Sequence, residues 1–184
     1  MDTQTLIIGV GGAGANISVN INQELNYDLL LVNTDDTSLE KHENKNTVHI
    51  DIKPTQISEH SAALATAFQK AELAIVKHME AKKSIIIIAG LGGKAGTYIC
   101  PKIIELAKNY TSNINFVCTL PFLFEGKRRE SALETLTRIK TDAAVKTIDF
   151  DNHSLAKNKN MNLVEAFEIA NQAIVKSLHH EFIS

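Results

Sequence analysis

The chain has 184 residues, 44% of them hydrophobic and 22% charged, and its 19 lysines and arginines against 21 aspartates and glutamates leave a net charge of −2. That length suits a single domain, residues 1–184, with enough core to cover both faces of a sheet, and it leaves no room for a second domain of similar size. The charge balance gives no reason to expect nucleic acid or a membrane surface as a partner. Cys100 and Cys118 lack the spacing of a disulfide framework or a zinc site, and the adjacent His179 and His180 point to different faces of a helix, so no metal site is expected. No charged-then-apolar leader opens the sequence, and its longest apolar run, residues 85–89, is too short to span a bilayer. A reducing cytoplasm is the expected location.

In chain order, Thr5-Leu6-Ile7-Ile8-Gly9-Val10 reads as a buried strand that runs into a glycine-rich turn and a helix start. Residues 29–32 form a second buried strand, ending in Asn33-Thr34-Asp35, with Asp36 placed to cap a short helical turn. Residues 47–50 are a weaker strand, expected near an edge. From Ser58, as a candidate cap, to about residue 80 runs a long helix. Its buried side is read as Ala62, Leu64, Ala65, Phe68, Leu73, Ile75, Val76 and Met79.

Residues 85–89 are continuously apolar, as in a central parallel strand covered on both faces. A second glycine loop follows, Gly90-Leu91-Gly92-Gly93-Lys94-Ala95-Gly96-Thr97, and then a helix over about 98–109 whose beginning Pro101 restricts. Strands at 113–119 and 145–150 flank a helix at 130–141. A final helix over about 161–180 places Leu163, Phe167, Ala170, Ile174 and Leu178 on one stripe. This alternation, without hairpin signals or linkers, predicts one α/β domain: a three-layer, doubly wound, mostly parallel sheet of Rossmann-like type. Ligands in such sheets sit beyond the carboxyl ends of the strands, where both glycine loops must lie.

The first loop holds four glycines within six residues, Gly9, Gly11, Gly12 and Gly14. Glycine allows the backbone close to a ligand, and the N–H groups of the helix start favour an anion such as phosphate. Gly9, Gly11 and Gly14 also satisfy G-x-G-x-x-G, and Asp35 stands where a dinucleotide fold would place its ribose carboxylate. A glycine turn that only packs strand against helix is the alternative with no ligand.

Several stretches together resemble the FtsZ and tubulin cytoskeletal GTPases. Gly9-Val10-Gly11-Gly12-Ala13-Gly14-Ala15-Asn16 resembles their first nucleotide loop, and Asn33-Thr34-Asp35 followed by Leu39 resembles NTDxQxL with Thr37 in place of the glutamine. Residues 89–98, closed by Pro101, resemble AGMGGGTGTG; residues 119–129 resemble TxPFxFEGxxR; residues 151–155 resemble PNDxL; and residues 164–174 resemble the long helix that touches the base. A dinucleotide fold accounts for the first glycine loop but not for the second, nor for residues 119–129.

The resemblance implies a site for GTP or GDP, with a magnesium ion as a possible companion. It assigns phosphate-cradling backbone to Gly11, Gly12 and Ala13 and to Gly92, Gly93, Ala95, Gly96 and Thr97. Asn16, Asp35, Glu125 and Arg129 fall at base, ribose or phosphate, and Asn152, Asn171 and Gln172 near the base. Lys94 replaces a signature glycine, so it either supplies positive charge to phosphate or fills the pocket. Ala95 and Tyr98 replace a threonine and a glycine, and Ile52-Lys53-Pro54-Thr55-Gln56 lacks the glycines expected near a terminal phosphate. An amide at Asn171 or Gln172 where the bacterial family has a carboxylate leaves a guanine donor facing a donor and weakens guanine preference.

The family's hydrolytic residues come from a loop after the last helix and its second domain follows, and the 184 residues stop before both. No catalytic residue is therefore assigned, and the sequence is either a natural single-domain member or a piece of a longer protein. The expectation is a nucleotide-binding module of cytoskeletal or cell-division type that works with a second copy of itself or a full-length FtsZ-like homologue. The alternatives are an empty-pocket homologue serving as an interaction or filament-capping surface, and a GTPase completed by a partner's catalytic loop.

Overall fold

The computed structural model describes residues 2–42, 44–58, 60–155, 165, 169, 172–174, 176 and 177. Six strands, β1 (Asp2–Val10), β2 (Tyr27–Asn33), β3 (Asn46–His49), β4 (Ser84–Gly90), β5 (Ile114–Leu120) and β6 (Val145–Asp151), form one sheet in the order β3-β2-β1-β4-β5-β6. Every neighbouring pair is parallel. The weak strand is at an edge as its composition suggests, and the uninterrupted isoleucine run of β4 is central.

The crossovers use α1 (Gly11–Leu25), α2 (Asp36–Glu40), α3 (Ala62–Met79), α4 (Cys100–Ala107) and α5 (Lys127–Lys140), and a short α6 (Asn152–Leu155) follows β6. β1 explains why its apolar run is continuous. Leu6, Ile8 and Val10 pack into a core shared with Phe68 and Ile75 of α3, Ile103 of α4 and Leu136 of α5. Ile7, between them, points to the other face with Ile17 and Ile21 of α1. Both layers are needed to bury such a strand.

The sheet order reverses at β1, which has β2 on one side and β4 on the other. Val10 lies opposite Ala89, so the chain leaves both strands at the same level, and the two glycine loops emerge side by side. Leu120 is likewise level with Asp151, which brings the ends of β5 and β6 to the same edge. This is the switch point where open α/β sheets bind ligands.

Several local expectations are corrected. Ser61, not Ser58, caps α3, accepting a hydrogen bond from the Leu64 N–H at 3.2 Å. Leu73 is 68% exposed, and Ala62 and Ala65 are exposed too; Ala67 and Ala71 occupy the buried stripe instead. Asp35 rather than Asp36 is the residue preceding α2. α5 begins a turn earlier than its apolar pattern suggests, just after Gly126, whose φ of 52° ends a 3₁₀ turn at Leu123–Glu125. α6 had no apolar period to announce it.

In the C-terminal stretch the described residues are helical, and Ile174 is fully buried in the α1-side core. Leu163, Phe167, Ala170 and Leu178 of the expected stripe lie outside the described residues. Both cysteines are buried, and desolvation pushes each thiol well above its ordinary value, so neither is a ready nucleophile or metal ligand.

Candidate functional site

At the carboxyl edge of the sheet the loops enclose an open cavity of about 380 Å³, a size typical of small-ligand sites. Gly11, Gly12 and Ala13 form one wall as the first turn of α1, and Gly93, Lys94, Ala95 and Gly96 form a second, where a π-helical turn (Ala95–Ile99) leads into α4. No side chain caps either helical start. The first N–H groups of a helix have no intrahelical partner, so two uncapped starts converge on one space.

The glycines of these loops serve two different purposes. A Cβ on Gly12 would meet nothing within 4 Å, so its Cα faces open cavity. A Cβ on Gly14 would lie 2.3 Å from the Ile88 carbonyl oxygen, and one on Gly96 would lie 2.0 Å from that of Gly90. Gly14 and Gly96 are therefore where helix backbone lies directly on β4, and that close approach is what presents the loop amides to the cavity.

Not every residue singled out in the sequence lines the cavity. Besides the wall residues, Asp35, Glu125 and Asn152 do. Asn16 is exposed on α1 and is not part of the lining. Gly92 and Thr97 serve the loop itself: the Gly92 N–H donates to Thr97 Oγ1 at 2.9 Å, and the Thr97 N–H donates to the Gly93 carbonyl at 2.9 Å. Gln172 is exposed and does not line the cavity, and Asn171 is outside the described residues.

Arg129 also stands apart from the lining. Its Nη1 and Nη2 donate to the two carboxylate oxygens of Asp151 at 2.9 and 2.7 Å, and Nη1 donates to the Pro121 carbonyl as well. These bonds hold the Asp151 carboxyl below the usual carboxylate range. A carboxylate whose pKa is lowered by folding contributes stability above its unfolded pKa and loses it as pH falls through the folded value. The unfolding midpoint in urea is thus expected to drop below about pH 4, and Asp151→Ala should make that drop shallower.

Sequence reading missed Asn33, Thr34, Ser38, Thr119, Pro121 and Arg128 among the lining residues. Arg128 Nε donates to the Gly92 carbonyl at 3.2 Å, and its Nη1 is 2.8 Å from Glu125 Oε2. The other Glu125 oxygen accepts from the Phe122 N–H at 2.9 Å. Asp35 is similarly engaged, accepting from the hydroxyls of Ser38 at 2.6 Å and Thr37 at 2.7 Å, which lower its pKa. Lys94 Nζ donates to the carbonyl of Pro54, in the loop before α3, so its exposed side chain reaches out of the glycine loop to that neighbouring segment.

Among the described residues, no group of three or more His, Cys, Asp or Glu side chains is placed to hold a metal ion. No helix of the described residues is long and apolar enough to cross a membrane.

The sequence model for the Tubulin/FtsZ family, GTPase domain, matches residues 4–160. The chain belongs to the Tubulin/FtsZ family. It is 30% identical over 184 residues to the cell division protein FtsZ of Wigglesworthia glossinidia brevipalpis, an alignment covering 94% of this chain and 47% of that protein. The chain thus spans about half the length of the curated relatives it matches. Among solved structures, the empty FtsZ dimer of M. jannaschii superposes with a TM-score of 0.74 at 24% identity, over 97% of this chain and 54% of the other. CetZ2 from Haloferax volcanii, solved as a GTPγS-bound protofilament, gives 0.76 at 21% identity, over 96% and 57%. At these identities the structural likeness speaks for the Tubulin/FtsZ fold alone.

Proposed function

We propose that this domain binds a purine nucleoside di- or triphosphate, GTP or GDP in the first instance, with its phosphates in the cavity between the two glycine loops. The observation that carries the reading is the pairing of two uncapped helical starts around the open face of Gly12. Such amides and dipoles suit a phosphate chain held from both sides. The family membership agrees with it, and CetZ2, a relative by fold, was solved with GTPγS.

Lys94 is a cation of the second loop itself, and its carbonyl partner Pro54 is an acceptor it can exchange for a phosphate oxygen. Lys94→Ala should then weaken GTP binding by about tenfold to a hundredfold, as a charge-assisted hydrogen bond implies, and more for the triphosphate than the diphosphate. Tighter binding after the same substitution would show that the side chain obstructs the pocket.

Turnover by the 184-residue polypeptide alone is expected to be slow. Both carboxylates of the cavity, Asp35 and Glu125, are already committed to internal hydrogen bonds, which leaves neither poised to orient a water. Phosphate release from purified protein, alone and mixed with a full-length FtsZ, tests this. Fast release by the chain alone would contradict it, whereas release only in the mixture would mark a site completed by a partner.

One observation favours a second copy or a full-length FtsZ-like homologue as that partner. Leu123 and Phe124, beside Glu125 at the edge of the cavity, are 55% and 75% exposed. Apolar side chains next to a ligand site are suited to being covered when another subunit docks there.

A further inference from the structure

A second cavity, of about 530 Å³, lies among α3, α4 and α5 on the face of the sheet away from α1. Its volume is within the roughly 300–1,000 Å³ of small-molecule sites, and it shares no lining residue with the cavity of the glycine loops. The buried side chains of Phe68, Ile104 and Ile139 line it together with the half-buried ring of Tyr98. Two aromatic rings facing branched aliphatic side chains suit a flat apolar body.

Tyr98 is the residue that stands in place of the last signature glycine, and it is absent from the lining of the nucleotide cavity. The π-helical turn Ala95–Ile99 gives Ala95 and Gly96 to that cavity and Tyr98 to this one. Single π-helical turns recur at functional sites. The tyrosine thus builds a wall of the second cavity without entering the first.

The charges of the lining fall into two groups. Both carboxylates, Glu105 and Asp142, are taken up by Lys108, whose Nζ is 2.7 Å from Glu105 Oε1 and also pairs with Asp142 Oδ2. Asp142 Oδ1 further accepts the Ala144 N–H at 3.0 Å. Lys102, by contrast, has no carboxylate partner among the described residues, and its Nζ lies 6.0 Å from the centre of the Phe68 ring. That is the outer limit of a cation–π contact, weak enough to give way to an anion. Arg138, also in the lining, adds a second positive charge. With the acidic groups already neutralised, a half-buried lysine beside two rings selects an aromatic body that carries one negative charge.

We propose that this cavity binds a small aromatic carboxylate, with its ring against Phe68 and Tyr98 and its carboxylate on Lys102 Nζ. The site is independent of the nucleotide reading, because none of these three side chains lines the cavity between the glycine loops.

The test uses the full 184-residue chain and two probes of the same shape, 2-naphthoate and the neutral 2-naphthamide, followed by backbone amide chemical shifts. 2-Naphthoate is expected to give saturable shifts at Phe68, Tyr98, Lys102 and Ile139, with a dissociation constant of about 1 mM or tighter, and to leave Gly12 and Gly93 in place. 2-Naphthamide should move the same amides but bind about tenfold more weakly, the scale of a partly exposed charge-assisted hydrogen bond. Lys102→Gln should bring the two probes level by weakening the carboxylate alone, and Tyr98→Ala should weaken both.

Equal affinity of the two probes for wild type, or a naphthoate affinity unmoved by Lys102→Gln or by Tyr98→Ala, would overturn the proposal. So would saturable shifts only elsewhere, such as at the exposed Leu123 and Phe124, or no saturable shift up to about 5 mM. Should Tyr98→Ala not fold, the shift map and Lys102→Gln decide the matter, since that substitution breaks no ion pair among the described residues.

Discussion

Gly12→Leu is expected to lower nucleotide affinity by about a hundredfold or more while the protein stays folded, because the new side chain projects into the ligand's space and not into the protein. No protein atom lies within 4 Å of where its Cβ would be. The residue is in the first turn of α1, where leucine is a better helix former than glycine, so folding stability should hold or rise by about 0.5–1 kcal/mol. A phosphate chain drawn to the same amides would overlap the side chain, a cost of the order of the 1–3 kcal/mol of an overpacked core or more. Titration with a fluorescent GDP analogue beside a thermal melt checks both halves. Unimpaired binding by a folded Gly12→Leu protein would put the ligand elsewhere.

The second large effect has the opposite character. Gly96→Ala adds one methyl group, yet its Cβ would lie 2.0 Å from the Gly90 carbonyl oxygen and 2.9 Å from the carbonyl carbon. Both are backbone atoms at the end of a central strand whose neighbours on either side are hydrogen-bonded to it, so neither can move aside cheaply. A loss of about 3 kcal/mol is expected, at the upper end for overpacking, which for a domain of this length lowers the melting temperature by roughly 6–12 °C. Gly14→Ala, facing the Ile88 carbonyl at 2.3 Å, should behave alike. If both variants melted with wild type, the close seating of the helix starts on β4 would be wrong, and the geometry of the amides with it.

The contrast between Gly12 and Gly96 shows what was legible in the sequence. The repeated glycines announced two loops near phosphate, and the apolar runs at residues 5–10, 29–32, 85–89 and 113–119 announced the strands that carry them. Spacing cannot tell a glycine that makes room for a ligand from one that makes room for a carbonyl, because that depends on which strand lies behind the helix. Gly92 and Thr97 look like part of the cradle for the same reason, although their N–H and hydroxyl groups satisfy each other within the loop.

Arg128 and Arg129 show a second limit. Successive helical residues point about 100° apart, so the choice of which arginine faces the cavity depends on where α5 begins. The apolar pattern starts near Glu130, but Gly126 lets the helix begin at Lys127, and that phase puts Arg128 on the lining and Arg129 against Asp151. Asp151 occupies the proline position of the PNDxL pattern, and only the pairing of β5 with β6 brings it beside α5. Hydrophobicity alone places Leu73 in the core, and the shift of the α3 cap from Ser58 to Ser61 marks the same uncertainty of phase.

The central claim is that the cavity between the two glycine loops holds a nucleotide, and isothermal calorimetry of the folded chain with GTP, GDP, ATP and ADP, with magnesium and then with a chelator, tests it most directly. The account predicts a saturable one-to-one heat with the guanosine nucleotides that survives chelation and disappears in Gly12→Leu. No heat from any of the four nucleotides on protein shown to be folded would contradict it.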